Sequence, residues 1–145
     1  MKDNARNEQV NDLILEANAA RDYAYAPYSD FRVGAALLTK SGKIYRGCNV
    51  ENAAYSPTNC AERTAFFKAV SEGEREFEAI AIVGGAGEVL ENTSKVCAPC
   101  GVCLQVMTEF CEALTFKIIL SAGQGQHEEY RLKELLPLGF SKDSL

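Results

Sequence analysis

The stretch from Asn49 to Arg63, taken with Pro99-Cys100-Gly101-Val102-Cys103, constrains this chain more than any other feature. The first places a thiol, a carboxylate and a cation in four consecutive positions, Cys60-Ala61-Glu62-Arg63, where an apolar helical pattern opens. Pro57 is tolerated at a helix start and not inside one. Thr58 or Asn59 is a suitable capping residue. Ala65, Phe66, Ala69 and Val70 recur at helical spacing before Gly73, which predicts a helix from Thr58 to about Glu72. Cys100 and Cys103 repeat the arrangement. Pro99 precedes them, and Val102, Val106, Met107 and Phe110 carry a helical beat to about Glu112. Residues three apart share a helix face, so both sulfurs can reach one ion at about 2.3 Å.

The thiols admit three readings. Cys60, Cys100 and Cys103 with a fourth position left open is the pattern of catalytic zinc, whereas structural zinc is closed by four protein ligands. Cys97-Ala98-Pro99-Cys100 is also CxxC, so Cys97 is a candidate fourth ligand, although it lies before the proline and outside the helix start. A redox dithiol is the third reading, and it has no use for Cys60 or Glu62. Glu62 either moves protons beside the metal or closes a capping box three residues after Asn59. Three thiolates and one divalent zinc sum to a net charge of minus one, which makes a poor Lewis acid. Two helix N-termini and Arg63 can offset that excess. The plainer reading of Arg63 is a solvated helix charge.

At 145 residues, 47% hydrophobic and 24% charged, the chain fits a single domain, 1–145, with a buried core. The net charge of −5 argues against nucleic acid as a partner. Six cysteines are too few for a disulfide scaffold of this length. Met1 to Asn11 is polar and lacks a secretory apolar core. No run approaches the roughly 18 apolar residues of a membrane span. A reducing cytoplasm is the expected compartment, where clustered thiols read as metal-binding or catalytic.

Val10, Leu13, Ile14, Ala17 and Ala20 predict a first helix packed on a sheet. A loop follows from Ala24 to Asp30, then a strand over Phe31–Thr39, a tight turn at Ser41-Gly42 and an antiparallel partner strand over Lys43–Asn49. Glu78–Val83 is a buried strand, and Gly84 to Lys95 reads as plain connection. Phe116–Ser121 is another strand, with a short one near Glu129 and a final helical turn over Leu132–Leu136. His127, the only histidine, is expected in a surface loop. Strands alternating with helices predict an α/β sandwich with a mixed sheet.

Cys60-Ala61-Glu62-Arg63-Thr64-Ala65 together with Pro99-Cys100-Gly101-Val102-Cys103 closely resembles the small homotetrameric cytidine deaminases of nucleoside salvage. The resemblance runs from about Tyr23 to Phe140. It implies a three-layer α/β/α sandwich on a five-stranded sheet. It implies one Zn2+ per subunit on Cys60, Cys100 and Cys103, and Glu62 as the catalytic proton carrier. The reaction implied is hydrolytic deamination of cytidine and deoxycytidine. By the same resemblance Phe31 packs on the pyrimidine, Asn49 and Glu51 hold the sugar hydroxyls, and Ala61 offers its backbone N–H to the base carbonyl. Asn49 and Glu51 lie two apart on an extended segment and so share a face. Their plain reading is turn residues after a strand, and that of Phe31 is an ordinary core residue. Ala53, Tyr55 and Phe140 match positions that complete a neighbour's site, which implies a homotetramer. Leu104 departs from the family, which commonly has Arg there, and Cys97 is a second departure. A blasticidin-type aminonucleoside deaminase and a non-catalytic structural-zinc module are the rival functions.

Overall fold

The computed structural model describes residues 1–86 and 95–145. Helix α1 spans Lys2–Arg21, strand β1 Phe31–Thr39 and strand β2 Ile44–Cys48. Helix α2 spans Ala61–Ser71, β3 Phe77–Ala86 and α3 Gly101–Phe110. Strands β4 (Lys117–Gly123) and β5 (Gln126–Arg131), the short helix α4 (Leu132–Leu135) and a 3₁₀ turn at Lys142–Ser144 complete the order.

Thr39 and Lys43 close the β1–β2 turn through a 2.9 Å backbone bond, with Gly42 at a φ of +94°. The five strands lie in the order β2-β1-β3-β4-β5. β1 is antiparallel to both β2 and β3, so β2 and β3 point the same way, and β4 is parallel to β3. Each parallel relation needs a crossover, and helices supply them. α2 links β2 to β3, and α3 links β3 to β4. Both helices therefore begin at the carboxyl ends of parallel strands. That edge of an α/β sheet is where ligands bind.

β1 is buried on both faces, and its side chains alternate between two cores. Val33, Ala35 and Leu37 join Phe66, Ile80, Ile82 and Met107 beneath α2 and α3. Ala36 and Leu38 join Leu13, Ala17, Ala79 and Ala81 beneath α1. The result is the expected three-layer α/β/α sandwich on a mixed five-stranded sheet. Phe66 meets Phe77 edge-on at 5.1 Å and stacks near Phe110 at 6.2 Å, which ties α2 to α3. Gly47 lets α2 lie directly on β2. A Cβ built there would stand 2.5 Å from the backbone nitrogen of Ala65 and closer still to the Ala61 carbonyl oxygen.

Several boundaries differ from expectation. α2 begins at Ala61 rather than Thr58, because Asn59 pairs with Val50 in an isolated antiparallel bridge. The backbone at Asn59 is therefore committed to an extended partner and cannot start the helix. Glycines 84 and 85 belong to β3, paired with Val33 and Arg32, so that part of the expected connection is strand. The rest of that connection, 87–94, lies outside the described residues. His127 sits on β5 opposite Ser121, half-buried, with its ring 3.3 Å from Glu129. It is a strand residue rather than a loop residue.

Candidate active site

Cys60 and Cys100 are the residues that cap α2 and α3. Their backbones nearly coincide, at φ −76°, ψ 157° and φ −72°, ψ 165°. Thr58 and Asn59 do not cap. Thr58 accepts from the Asn52 N–H, and the Asn59 amide donates to Thr64. With no side-chain cap on either helix, the first-turn N–H groups and the positive dipole end face the sulfurs.

Cys103 lies one turn into α3, and its sulfur meets the other two. The three Sγ atoms all lie within 4.8 Å of one another, and those of Cys60 and Cys100 are 3.8 Å apart. Tetrahedral zinc with bonds of about 2.3 Å places its sulfurs about 3.8 Å apart, which the Cys60–Cys100 separation matches. Among the described residues this is the one such cluster. Cys97 is not part of it and packs against the core, with burial pushing its thiol up to about 11. Leu104 is also buried in the core. At that position the chain uses a packing residue.

Glu62 is the second residue of α2 and is 4% exposed. It does not close a capping box, since Asn59 donates its N–H to the Val50 carbonyl instead. Its Oε2 accepts from the Cys103 thiol at 3.2 Å. Burial raises its pKa above the usual carboxylate range. Arg63 is not a solvated charge. Its Nη2 donates to the Cys60 sulfur at 3.4 Å, and its Nε is buried without a hydrogen-bond partner among the described residues. Hydrogen bonding with Cys103, Arg63 and Cys100 holds the Cys60 thiol down to about 5. The Cys103 thiol is pushed upward, by its bond to Cys60 and by burial. Each thiol must bind the metal as a thiolate, so metal binding displaces the protons that these sulfurs hold.

The remaining candidates fall into two groups. Asn49 and Glu51 flank Val50, whose backbone pairing leads to the start of α2, and Phe31 joins them through the Asn49 side chain. Val50 bridges Tyr25 on one side and Asn59 on the other. Phe31 is 41% exposed and not a core residue. Asn49 is buried, accepts from the Val33 N–H and donates to the Phe31 carbonyl, both at 2.8 Å. Glu51 accepts from the N–H groups of Tyr28 and Ser29 and from the Ser29 hydroxyl. Sequence reasoning did not single out Ser29. The available signal was a hydroxyl two residues before Phe31, at a spacing suited to a local turn. Ala61 is fully buried at the first position of α2. Ala53, Tyr55 and Phe140 form the second group and lie on the outside, with Tyr55 89% exposed. Gln105 on α3 holds the Phe140 carbonyl at 2.8 Å.

Residues 7–118 match the profile of the cytidine and deoxycytidylate deaminase zinc-binding region. A cytidine deaminase of Sporosarcina psychrophila is 52% identical over 136 residues, 94% of each chain. One from Halalkalibacterium halodurans is 51% identical over 133 residues, 92% of this chain and 95% of that one. The crystal structure of cytidine deaminase from Burkholderia pseudomallei superposes with a TM-score of 0.80 at 49% identity, covering 90% of this chain and 98% of that one. A zinc-shaped set of three thiols beside a buried glutamate, on this fold and at these identities, makes the chain a member of the cytidine and deoxycytidylate deaminase family.

Proposed function

We propose that the chain deaminates cytidine and deoxycytidine hydrolytically, giving uridine and deoxyuridine with release of ammonia. The observation that carries this is the buried Glu62 carboxylate beside the three-sulfur cluster, with no capping role to explain it. Cys60, Cys100 and Cys103 would hold one Zn2+ per subunit, and the ion would supply Lewis-acid activation of a water. Glu62 accepts a proton from that water and passes it to ring N3, which makes C4 electrophilic. Oxygen adds to C4. Glu62 then carries the proton of the hydroxyl added at C4 to the amino group, the C4–N bond breaks as the C4 carbonyl forms, and ammonia leaves. Its raised pKa suits a group that must both take and give a proton near neutrality.

Arg63 and the two helix N-termini offset the charge of the thiolates. Phe31 packs on the base, the Ala61 N–H meets its carbonyl, and Asn49 and Glu51 take the sugar hydroxyls. Ala53, Tyr55 and Phe140 complete a neighbour's site in a homotetramer. The exposure of Tyr55 and Phe140 in the single chain supports that reading. Residues 1–145 act as one catalytic domain, in cytoplasmic pyrimidine salvage, with neither nucleic acid nor membrane as partner. Among the described residues no helix is long and apolar enough to cross a membrane.

The test is Glu62→Gln with zinc and ammonia measured in the same sample. Turnover should fall by about 10²–10⁴-fold or more while zinc stays bound. A variant that holds zinc and still deaminates cytidine within about tenfold of the parent excludes Glu62 as the proton carrier.

A further inference from the structure

The turn before β1 carries a hydroxyl that no step above uses. Ser29 donates from Oγ to Oε2 of Glu51, and Ser29 Oγ itself accepts the Phe31 N–H at 3.0 Å. The other oxygen of Glu51 accepts the N–H groups of Tyr28 and Ser29 at 3.0 and 3.1 Å. One carboxylate is thus gripped by three donors from a single turn, and the residue that follows the turn is tied to the same hydroxyl. Asp30, between Ser29 and Phe31, has a φ of +54°. A non-glycine residue in the left-handed region persists where surrounding bonds over-determine it. Those bonds are the Ser29 and Glu51 contacts together with the Asp30 N–H to Ala26 carbonyl bond of 3.1 Å.

We infer that Ser29 is a positioning residue for sugar recognition, its hydroxyl setting the orientation of the Glu51 carboxylate. The inference rests on the reading of Glu51 given above. A carboxylate has about four lone-pair sites. Three donors from the turn leave capacity for one sugar hydroxyl, in a direction that the turn determines. The Ser29 bond is also the leading cause of the lowered Glu51 pKa, which keeps the group an acceptor.

The experiment measures kcat and KM for cytidine and for 2′,3′-dideoxycytidine in the zinc-loaded enzyme. The variants are Ser29→Ala, Ser29→Thr, Glu51→Ala and the Ser29→Ala/Glu51→Ala pair. A hydrogen bond to a charged group corresponds to roughly tenfold in affinity. Ser29→Ala should therefore raise the cytidine KM by about tenfold and leave kcat within about twofold. Ser29→Thr, which keeps the hydroxyl, should restore KM. The Ser29→Ala effect should vanish in the Glu51→Ala background and shrink with the dideoxy substrate. Zinc content should not change, because the turn lies outside the sulfur cluster. If Glu51→Ala raises KM and Ser29→Ala does not, the positioning role is wrong and the reading of Glu51 survives. If Glu51→Ala leaves KM unchanged, the reading of Glu51 is wrong and the role of Ser29 falls with it. A kcat loss in Ser29→Ala that persists without Glu51 also overturns the proposal.

Discussion

Gly47→Ala is the substitution that best tests how the sheet places the catalytic helix. The added Cβ would stand 2.5 Å from Ala65 N, 3.0 Å from Ala65 Cα and nearer still to Ala61 O. Ordinary carbon contacts are about 3.5 Å, so α2 must rise by about 1 Å at its first turn. Backbone atoms have no alternative rotamer through which to yield. Replacing glycine by alanine contributes about 0.4–1 kcal/mol of stability through the unfolded chain. Overpacking of a tight core costs about 1–3 kcal/mol, so the net effect should be destabilising. The larger consequence is catalytic. Ala61 lies between Cys60 and Glu62, whereas Cys100 and Cys103 belong to α3 and stay in place. The shift should widen the 3.8 Å separation of Cys60 and Cys100. Displacements of about 1 Å can reduce rate by about 10²-fold. Zinc content, melting temperature and cytidine turnover should be measured on one preparation. Gly34→Ala is the control, since its Cβ meets Ala17 and Arg21 of α1, which carries no residue of the site. That variant should lose stability and keep zinc and turnover in its folded fraction. Parental zinc and turnover in folded Gly47→Ala would show that α2 is not seated through Gly47.

Three further outcomes are expected. Cys100→Ala should lose zinc and much stability, because the ion ties two helix starts together, while Cys97→Ser should keep both; zinc loss in the latter variant, by metal quantitation, would point to a fourth ligand. Truncation after Leu138 should weaken cytidine binding without stripping zinc, and light scattering should give a tetramer for the intact chain; a fully active monomer contradicts the shared site. Bonding to Arg46 lowers the Glu16 pKa, so the pair contributes stability that is present above the usual carboxylate range and lost as pH falls through the folded value. A double-mutant cycle of Glu16 and Arg46 should therefore show coupling at neutral pH that disappears in strong acid, and coupling that grows in acid would show that the pair does not stabilise the ionised carboxylate.

Local chemistry made much of this protein legible in the chain itself. Cys60, Cys100 and Cys103 were readable as one metal set because thiol spacing and a preceding proline survive any fold that brings two helix starts together. The β1–β2 hairpin was readable because the Ser41-Gly42 turn and the small, branched residues of Phe31–Thr39 are short-range signals. Tertiary structure decided what depends on distant partners. Glu62 reads as a cap or as a proton carrier until Asn59 is seen paired with Val50, which delays the helix to Ala61 and turns Glu62 inward. Arg63 reads as a surface charge or as a donor to the thiolates until α2 and α3 meet and bury its Nε beside the sulfurs. The extra length of β3 depends on pairing with β1, and the grip of Ser29 on Glu51 joins residues 22 apart in the chain. Spacing and propensity act over a few residues, whereas burial and hydrogen-bond partnership are settled only when the sheet brings separate segments together.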